Sequence, residues 1–431
     1  MSSQIIYRSA VRASRHAFLV LALAGGVGAC SRLLDVDNPS SVPEDALADP
    51  ALAPAVVAAA IQTLQCGVEN FVATGGMLSG EYLSANGFVN NHPWEWRGVI
   101  EIKNAPGTCN LGRGTTEMGF YTPLQQARFQ LDDAFNRLDQ FTDAQVATRA
   151  ALMATLRAYA GYSYLLLGEG MCQMTLDRGP AITKEAVWAI AEERFTDAIT
   201  RATAVNDQSL LNMARVGRAR ARLDLKKLAD AAADANSVTA GFVRNAEFTE
   251  GGVAARENRI YNLTIRNDYL SVGEYYRTLT VGGVADPRVK VRDAGRNAND
   301  GVTRLWQQQK YIAQTGGTPI PIASWNEAQL IYAEAVGGQA GLDAINRVRT
   351  ANSVPNITGA PPTGQAYIDL VLDERRRQLF SEGQRYVDML RYNLPFEKGI
   401  NGANRKGQTF SNLTCVPLPD VETRNNPNFG G

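Results

Sequence analysis

The stretch from Glu374 to Tyr392, ERRRQLFSEGQRYVDMLRY, sets five arginines among acids and apolar residues at helical spacing around a single glycine. A loop has no use for that periodicity, so this end of the chain reads as helix. The same 3.6-residue pattern recurs upstream. Leu124, Ala127, Leu131, Ala134, Phe135 and Leu138 share one face, and Leu152, Leu156, Tyr159, Ala160 and Leu167 share another. These are two amphipathic helices between Tyr121 and Leu167, broken near Phe141 to Asp143.

Glu185 to Val205, Leu210 to Leu223 and Leu225 to Val238 continue the series. Ala214, Gly217 and Ala221 fall at helix-contact spacing, with Ala229 and Ala233 facing them from the next helix. That is the signature of tetratricopeptide-like helix pairs. A further pair runs from Glu327 to Val336 and, through Gly337 and Gly338, from Gly341 to Arg349. Such pairs stack because neither helix buries its face alone. The fold class is mainly α.

Two stretches break the pattern, about 66–120 and about 241–321, rich in Gly, Asn and aromatic residues. Alternation at Arg288-Val289-Lys290-Val291-Arg292 predicts a short hairpin, with Asn299-Asp300-Gly301 as a turn. The same triplet resembles the start of a calcium loop, but no glutamate closes it at the required offset, so calcium is unsupported and no cofactor is expected. Loops on a rigid scaffold are where binding residues tend to sit.

The first 29 residues carry Arg8, Arg12 and Arg15 without an acid, an apolar run from Ala17 to Leu23, and small residues before Cys30. This reads as a signal peptide. Val27-Gly28-Ala29-Cys30 resembles a lipobox, whose cysteine sulfur takes a diacylglycerol, so Cys30 is the expected lipid anchor. Acyl chains at about 0.8 kcal/mol per buried methylene make a stable attachment. Ser31 after the cysteine fits outer-membrane delivery, while no acidic run marks export to the outer leaflet.

The remainder, roughly 400 residues, exceeds the length at which single cores stop growing, so two lobes or an elongated array are expected. Acids and bases balance at 43 each. A nucleic-acid partner, which needs a concentrated basic surface, is therefore not expected. Cys66, Cys109, Cys172 and Cys415 remain after the lipid cysteine, and in an oxidising compartment they predict two disulfides with three possible connectivities. Cys66 with Cys109 and Cys172 with Cys415 is preferred, because the first pair closes a segment without its own periodicity. Zinc is the weaker alternative, since no CxxC occurs and His92 is the sole histidine beyond the leader.

In order and spacing, several segments together resemble the SusD/RagB outer-membrane lipoproteins of nutrient uptake. They are LLDVDNPSSV, LRAYAGYSYLLLGE, EAQLIYAEA with GLDAINRVR, the arginine block, and PLPDVETRNNPNF. The block departs from the family at Gln378, Gln384 and Tyr386, where an acid, a histidine and a tryptophan are common. The resemblance implies a SusD-like fold of tetratricopeptide-like pairs with a loop-rich lobe. It also implies a non-catalytic lid over a SusC-like TonB-dependent β-barrel, to which it hands glycans or, in some members, peptides. Arg375, Arg376, Arg377, Glu382, Arg385 and Asp388 are then expected to fix two packed helices by ion pairs.

A glycan site needs exposed aromatic platforms with amides or charges beside them. NNHPWEWRG supplies Trp94 and Trp96 with Asn90, Asn91, Glu95 and Arg97, and in an extended segment both indoles face one way. Trp306 with Gln307 and Gln309, and Tyr275 with Tyr276, are second choices. Trp188 and Trp325 read as core. A single histidine leaves little for Ser-His, Cys-His or His-metal catalysis. Paired carboxylates are not excluded by counting, but no motif marks a glycosidase. A lipid-anchored envelope scaffold is the rival from another class, and a peptide-binding lid the rival within the family.

Overall fold

Residues 45–88, 92–109, 118–250, 256–399 and 402–429 are described in the computed structural model of the protein. Cys30 lies outside them, with the rest of the leader. The chain forms two units, residues 1–49 and residues 50–431. A 3-10 turn at Asp45–Ala48 is described in the first. The remaining description concerns the second.

It begins with a long helix that sequence periodicity did not reveal, α1 (Ala53–Leu78), so residues 66–78 are not irregular. Gly67, Gly75 and Gly76 gave the loop-like reading. In place, Gly67 and Gly76 let the helix approach a neighbour closely. A Cβ on Gly67 would lie 2.6 Å from Leu124, and one on Gly76 would lie 2.6 Å from the Tyr82 ring. Glycine costs a helix about 1 kcal/mol per position, so packing outweighs propensity here. Pro50–Leu78 is long and apolar enough to cross a bilayer. Its last three turns are instead buried within the protein.

Two short helices follow, α2 (His92–Trp96) and α3 (Val99–Lys103). The expected pairs come next: α4 (Tyr121–Asp139) with α5 (Arg149–Gly170), then α6 (Lys184–Ala204), α7 (Gln208–Asp224) and α8 (Leu228–Asn236). Starts are set by capping. Thr183 accepts from the Ala186 amide and Asp207 from the Leu210 amide, satisfying donors that a helix end leaves open. Ala214, Gly217 and Ala221 are buried as expected, but Ala229 and Ala233 are exposed, and Ala231, Ala232 and Ala235 make the α8 contact instead. The contact face of α8 therefore lies two residues on from the one its alanine spacing suggests.

After a one-turn helix, α9 (Glu274–Arg277), the scaffold resumes with α10 (Trp325–Val336), α11 (Gly338–Ala351), α12 (Gln365–Gln378) and α13 (Gln384–Arg391), and closes with α14 (Asp420–Asn425). Ser324 caps α10 through the Glu327 amide, and Gly337 at φ 63° turns the chain into α11. Sheet is sparse and antiparallel. β1 (Tyr82–Ser84) pairs with β3 (Leu270–Val272), β2 (Val243–Ala246) with β6 (Ile320–Ser324), and β4 (Val291–Asn297) with β5 (Arg304–Gln308). The last pair is the predicted hairpin, turned through Asn299–Gly301. Its first strand starts later than the alternation suggested, because Arg288 is buried on Asp286 and Glu374.

Arg375, Arg376, Arg377 and Glu382 of the arginine block are held in ion pairs. Arg375 meets Asp388, Arg377 meets Asp373 and Asp286, Arg376 meets Asp373, and Glu382 receives Lys310. The disulfides are Cys66–Cys109 and Cys172–Cys415, with Cα separations of 5.9 and 5.2 Å. The first ties α1 to the segment after α3. The second ties the end of α5 to the C-terminal segment.

Candidate functional site

The tryptophan pair does not form a platform. NNHPWEWRG is not extended: residues 92–96 are helical, and side chains two apart on a helix point about 200° from each other. Trp94 is 1% exposed, its Nε1 donates to the Met118 carbonyl at 3.0 Å, and its ring leans on Phe120. Trp96 is half-buried and its ring covers Gly98. Arg97 is buried as well. Its Nη2 donates to the carbonyls of Glu397 and Ser411, and its guanidinium lies between the rings of Phe396 and Phe410. These three hold a loop in place. Asn90 and Asn91 lie outside the described residues.

The second-choice residues divide. Trp306 sits half-buried in β5, against the core on one side and under the Arg277 guanidinium at 5.7 Å on the other. Gln307 is buried between Arg292 and Asp268, and the Gln309 amide donates to the Gln308 carbonyl. Tyr276 is buried on Phe380. Tyr275, its neighbour, is 67% exposed.

Tyr275 borders a groove of about 460 Å³. Leu83 from β1, Glu95 from α2, Glu274 from α9, and Glu397, Asn404, Arg405 and Phe410 from the C-terminal segment line it with Tyr275. The Asn404 carboxamide oxygen accepts from the Lys406 and Gln408 amides, a tight turn that presents Phe410 and Arg405. Arg405 donates to both Glu95 oxygens, to the Thr303 hydroxyl and to the Ser84 carbonyl, so wall and floor are fixed before any ligand arrives.

Behind this wall, Ser84 Oγ and Lys406 Nζ flank the His92 Nδ1 at 2.9 and 3.2 Å. Burial, then the Lys406 charge, lowers the His92 pKa from 6.5 to about 4, so the ring is neutral at physiological pH. Burial raises the Asp300 carboxyl, but hydrogen bonds from Lys406 and Thr303 outweigh it and hold the pKa at about 2. Both Asp300 oxygens are engaged, by the Thr303 amide and hydroxyl and by the Lys406 ammonium.

The groove thus joins two expected segments, through Glu95 and Tyr275, to a third that sequence reading passed over. Residues 397–410 carry the same Gly, Asn, Arg and aromatic mixture as the other irregular stretches, and that was the available signal. One exposed ring, apolar Leu83 and Phe410, an exposed Glu274 carboxylate 3.8 Å from Arg277, and the Asn404 amide suit a neutral polar ligand lying along a surface.

Residues 242–428 match the model of the SusD family. The fold is similar to a SusD-like carbohydrate-binding protein from Bacteroides vulgatus, at TM-score 0.65 and 15% identity, covering 89% of this chain and 97% of that one. A SusD superfamily protein from the same organism gives 0.66 and 14%, covering 89% and 99%. Surface glycan-binding protein A from Bacteroides uniformis gives 0.63 and 15%, covering 87% and 98%. At these identities the likeness is one of fold. No curated protein matches the sequence significantly.

Proposed function

We propose that this chain, SusD-like in fold over 89% of its length and in sequence over residues 242–428, is a non-catalytic surface lipoprotein that captures a glycan for uptake. Cys30 anchors it to the outer membrane, and it acts as the lid of a SusC-like TonB-dependent barrel. The observation that carries ligand capture is Tyr275, an exposed ring at the edge of a prefixed groove with polar groups around it. An aromatic face meets the C–H face of a sugar, while amide and carboxylate groups take its hydroxyls. The relatives described as carbohydrate- or glycan-binding support the same ligand class.

Affinity electrophoresis against a panel of polysaccharides tests capture. Retardation by one of them, lost in Tyr275→Ala, is the expected result. Native mass spectrometry of the lipoprotein extracted in mild detergent tests the partner. A bound β-barrel supports the lid, and migration alone or with periplasmic proteins favours an envelope scaffold.

A further inference from the structure

A second cavity, of about 340 Å³, lies within the helix scaffold. Glu169 at the end of α5, Lys184 and Trp188 at the start of α6, Asp224 and Lys226 at the end of α7, and Arg391 of α13 contribute to its lining. Trp188 and Asp224 are only 8% and 7% exposed. Even so, the indole Nε1, the Asp224 Oδ2 and the Arg391 Nε have no hydrogen-bond partner among the described residues. A buried polar atom left unpaired costs about 1–3 kcal/mol, and all three belong to residues lining this one cavity, which therefore calls for an occupant.

Charge indicates which kind. Arg220 holds Glu169 and Glu327, Arg375 holds Asp388 and Glu334, and Arg391 holds Asp224, Glu334 and Asp388. Five carboxylates share three guanidiniums in this cluster, with half-buried Arg385 acting on Asp388 from beside it. Lys184 and Lys226 also line the cavity but are half-buried and exposed, so the buried cluster itself is short of positive charge. Burial, and then the neighbouring Glu169, raise Asp224 to about 7. A cation at the free Asp224 oxygen would relieve that shortage, while the two unpaired N–H groups require an acceptor oxygen beside it.

We infer that this cavity binds a primary ammonium group flanked by a carbonyl oxygen, as carried by a free α-amino acid or by the N-terminus of a peptide. The ammonium sits on the Asp224 carboxylate, and the oxygen receives the N–H groups of Trp188 and Arg391. The site is separate from the groove and does not depend on what the groove binds.

Isothermal titration calorimetry on the intact protein tests this with L-alanine, trialanine, N-acetyl-L-alanine and methyl glucoside. Binding of an ammonium-bearing probe is expected, with N-acetyl-L-alanine weaker by at least about tenfold, the scale of one charge-assisted hydrogen bond. L-alanine against trialanine separates the two sources. Asp224→Asn should weaken binding by a similar factor. Trp188→Phe, which keeps a ring and loses only the donor, serves should the first variant fail to fold. No heat from either ammonium probe at millimolar concentration overturns the assignment. So does equal binding of the acetylated probe, preference for the glucoside, or affinity unchanged in both variants.

Discussion

The Arg375 guanidinium and the Asp388 carboxylate face each other, with Nε donating to both carboxylate oxygens at 3.0 and 2.9 Å and Nη2 lying 2.9 Å from Oδ1, and with each side chain 1% exposed. The pair links α12 to α13 across Gly383, whose φ of 80° makes the turn between them. Because both charges are out of water, removing one strands the other. Asp388→Ala is expected to cost about 3–5 kcal/mol in urea unfolding, and Arg375→Lys a comparable share, since an ammonium cannot reproduce the fork. A loss under about 1 kcal/mol would show instead that water repairs the break, as it does for exposed pairs.

Cys172 and Cys415 are 243 residues apart in sequence, so their bond closes most of the chain into a loop. Crosslinks of long loops restrict the unfolded chain most, although strain and residual structure reduce the gain. Replacing both by serine should lower stability by about 2–5 kcal/mol. The Cys66–Cys109 bond, across 43 residues, should contribute somewhat less. Equilibrium unfolding of the two double variants checks the order.

Helices were legible wherever apolar residues kept one phase over several turns, as in α4 to α7, and where a cap such as Asp207 marked the start. They were not legible where backbone closeness set the residue choice. The glycines of α1 look like loop until Leu124 and Tyr82 are placed against them. Small-residue helices also hide their phase, because alanine fits either face, and this displaced the reading of α8. The site failed for a different reason. Composition identifies an aromatic but not its burial, so Trp94 and Tyr275 looked alike. Only the tertiary fold brings residues 397–410 to the groove. Cysteine pairing was foreseen, but from segment closure that α1 only half provides.

Trp94 and Tyr275 should therefore separate cleanly. Tyr275→Ala removes a side chain two-thirds in water and should leave the melting temperature nearly unchanged while weakening ligand binding by about tenfold or more. Trp94→Ala empties a buried position and should cost about 3–5 kcal/mol. Loss of binding only in the second variant would remove the groove from the functional account.

His92 supplies a pH dependence whose sign is fixed by its surroundings. The unfolded chain takes up a proton near pH 6.5, whereas the folded ring, facing Ser84, Lys406, Asp300 and Arg405, stays neutral down to about 4. Between those values the unfolded state binds more protons. Stability is thus fully present above pH 6.5 and is lost as pH falls towards 4. The difference in melting temperature between the wild type and His92→Asn should change across that window and be flat outside it. A difference independent of pH would mean that the folded ring titrates normally.

Phe195 of α6 is clasped by two glycines on neighbouring helices. A Cβ on Gly161 of α5 would lie 2.5 Å from the ring, and one on Gly217 of α7 would lie 2.3 Å from it. Two effects oppose each other in Gly217→Ala. Alanine improves helix propensity by about 1 kcal/mol. Against that, the ring is fully buried and edge-on to Tyr162, so the added methyl has no room, and overpacking costs about 1–3 kcal/mol. A net loss is expected, measured by thermal unfolding. Adding Phe195→Leu to Gly217→Ala should return part of it, because the smaller side chain vacates the space the methyl needs. If the double variant is simply the sum of the two single losses, the clasp is not what limits residue choice at this helix crossing.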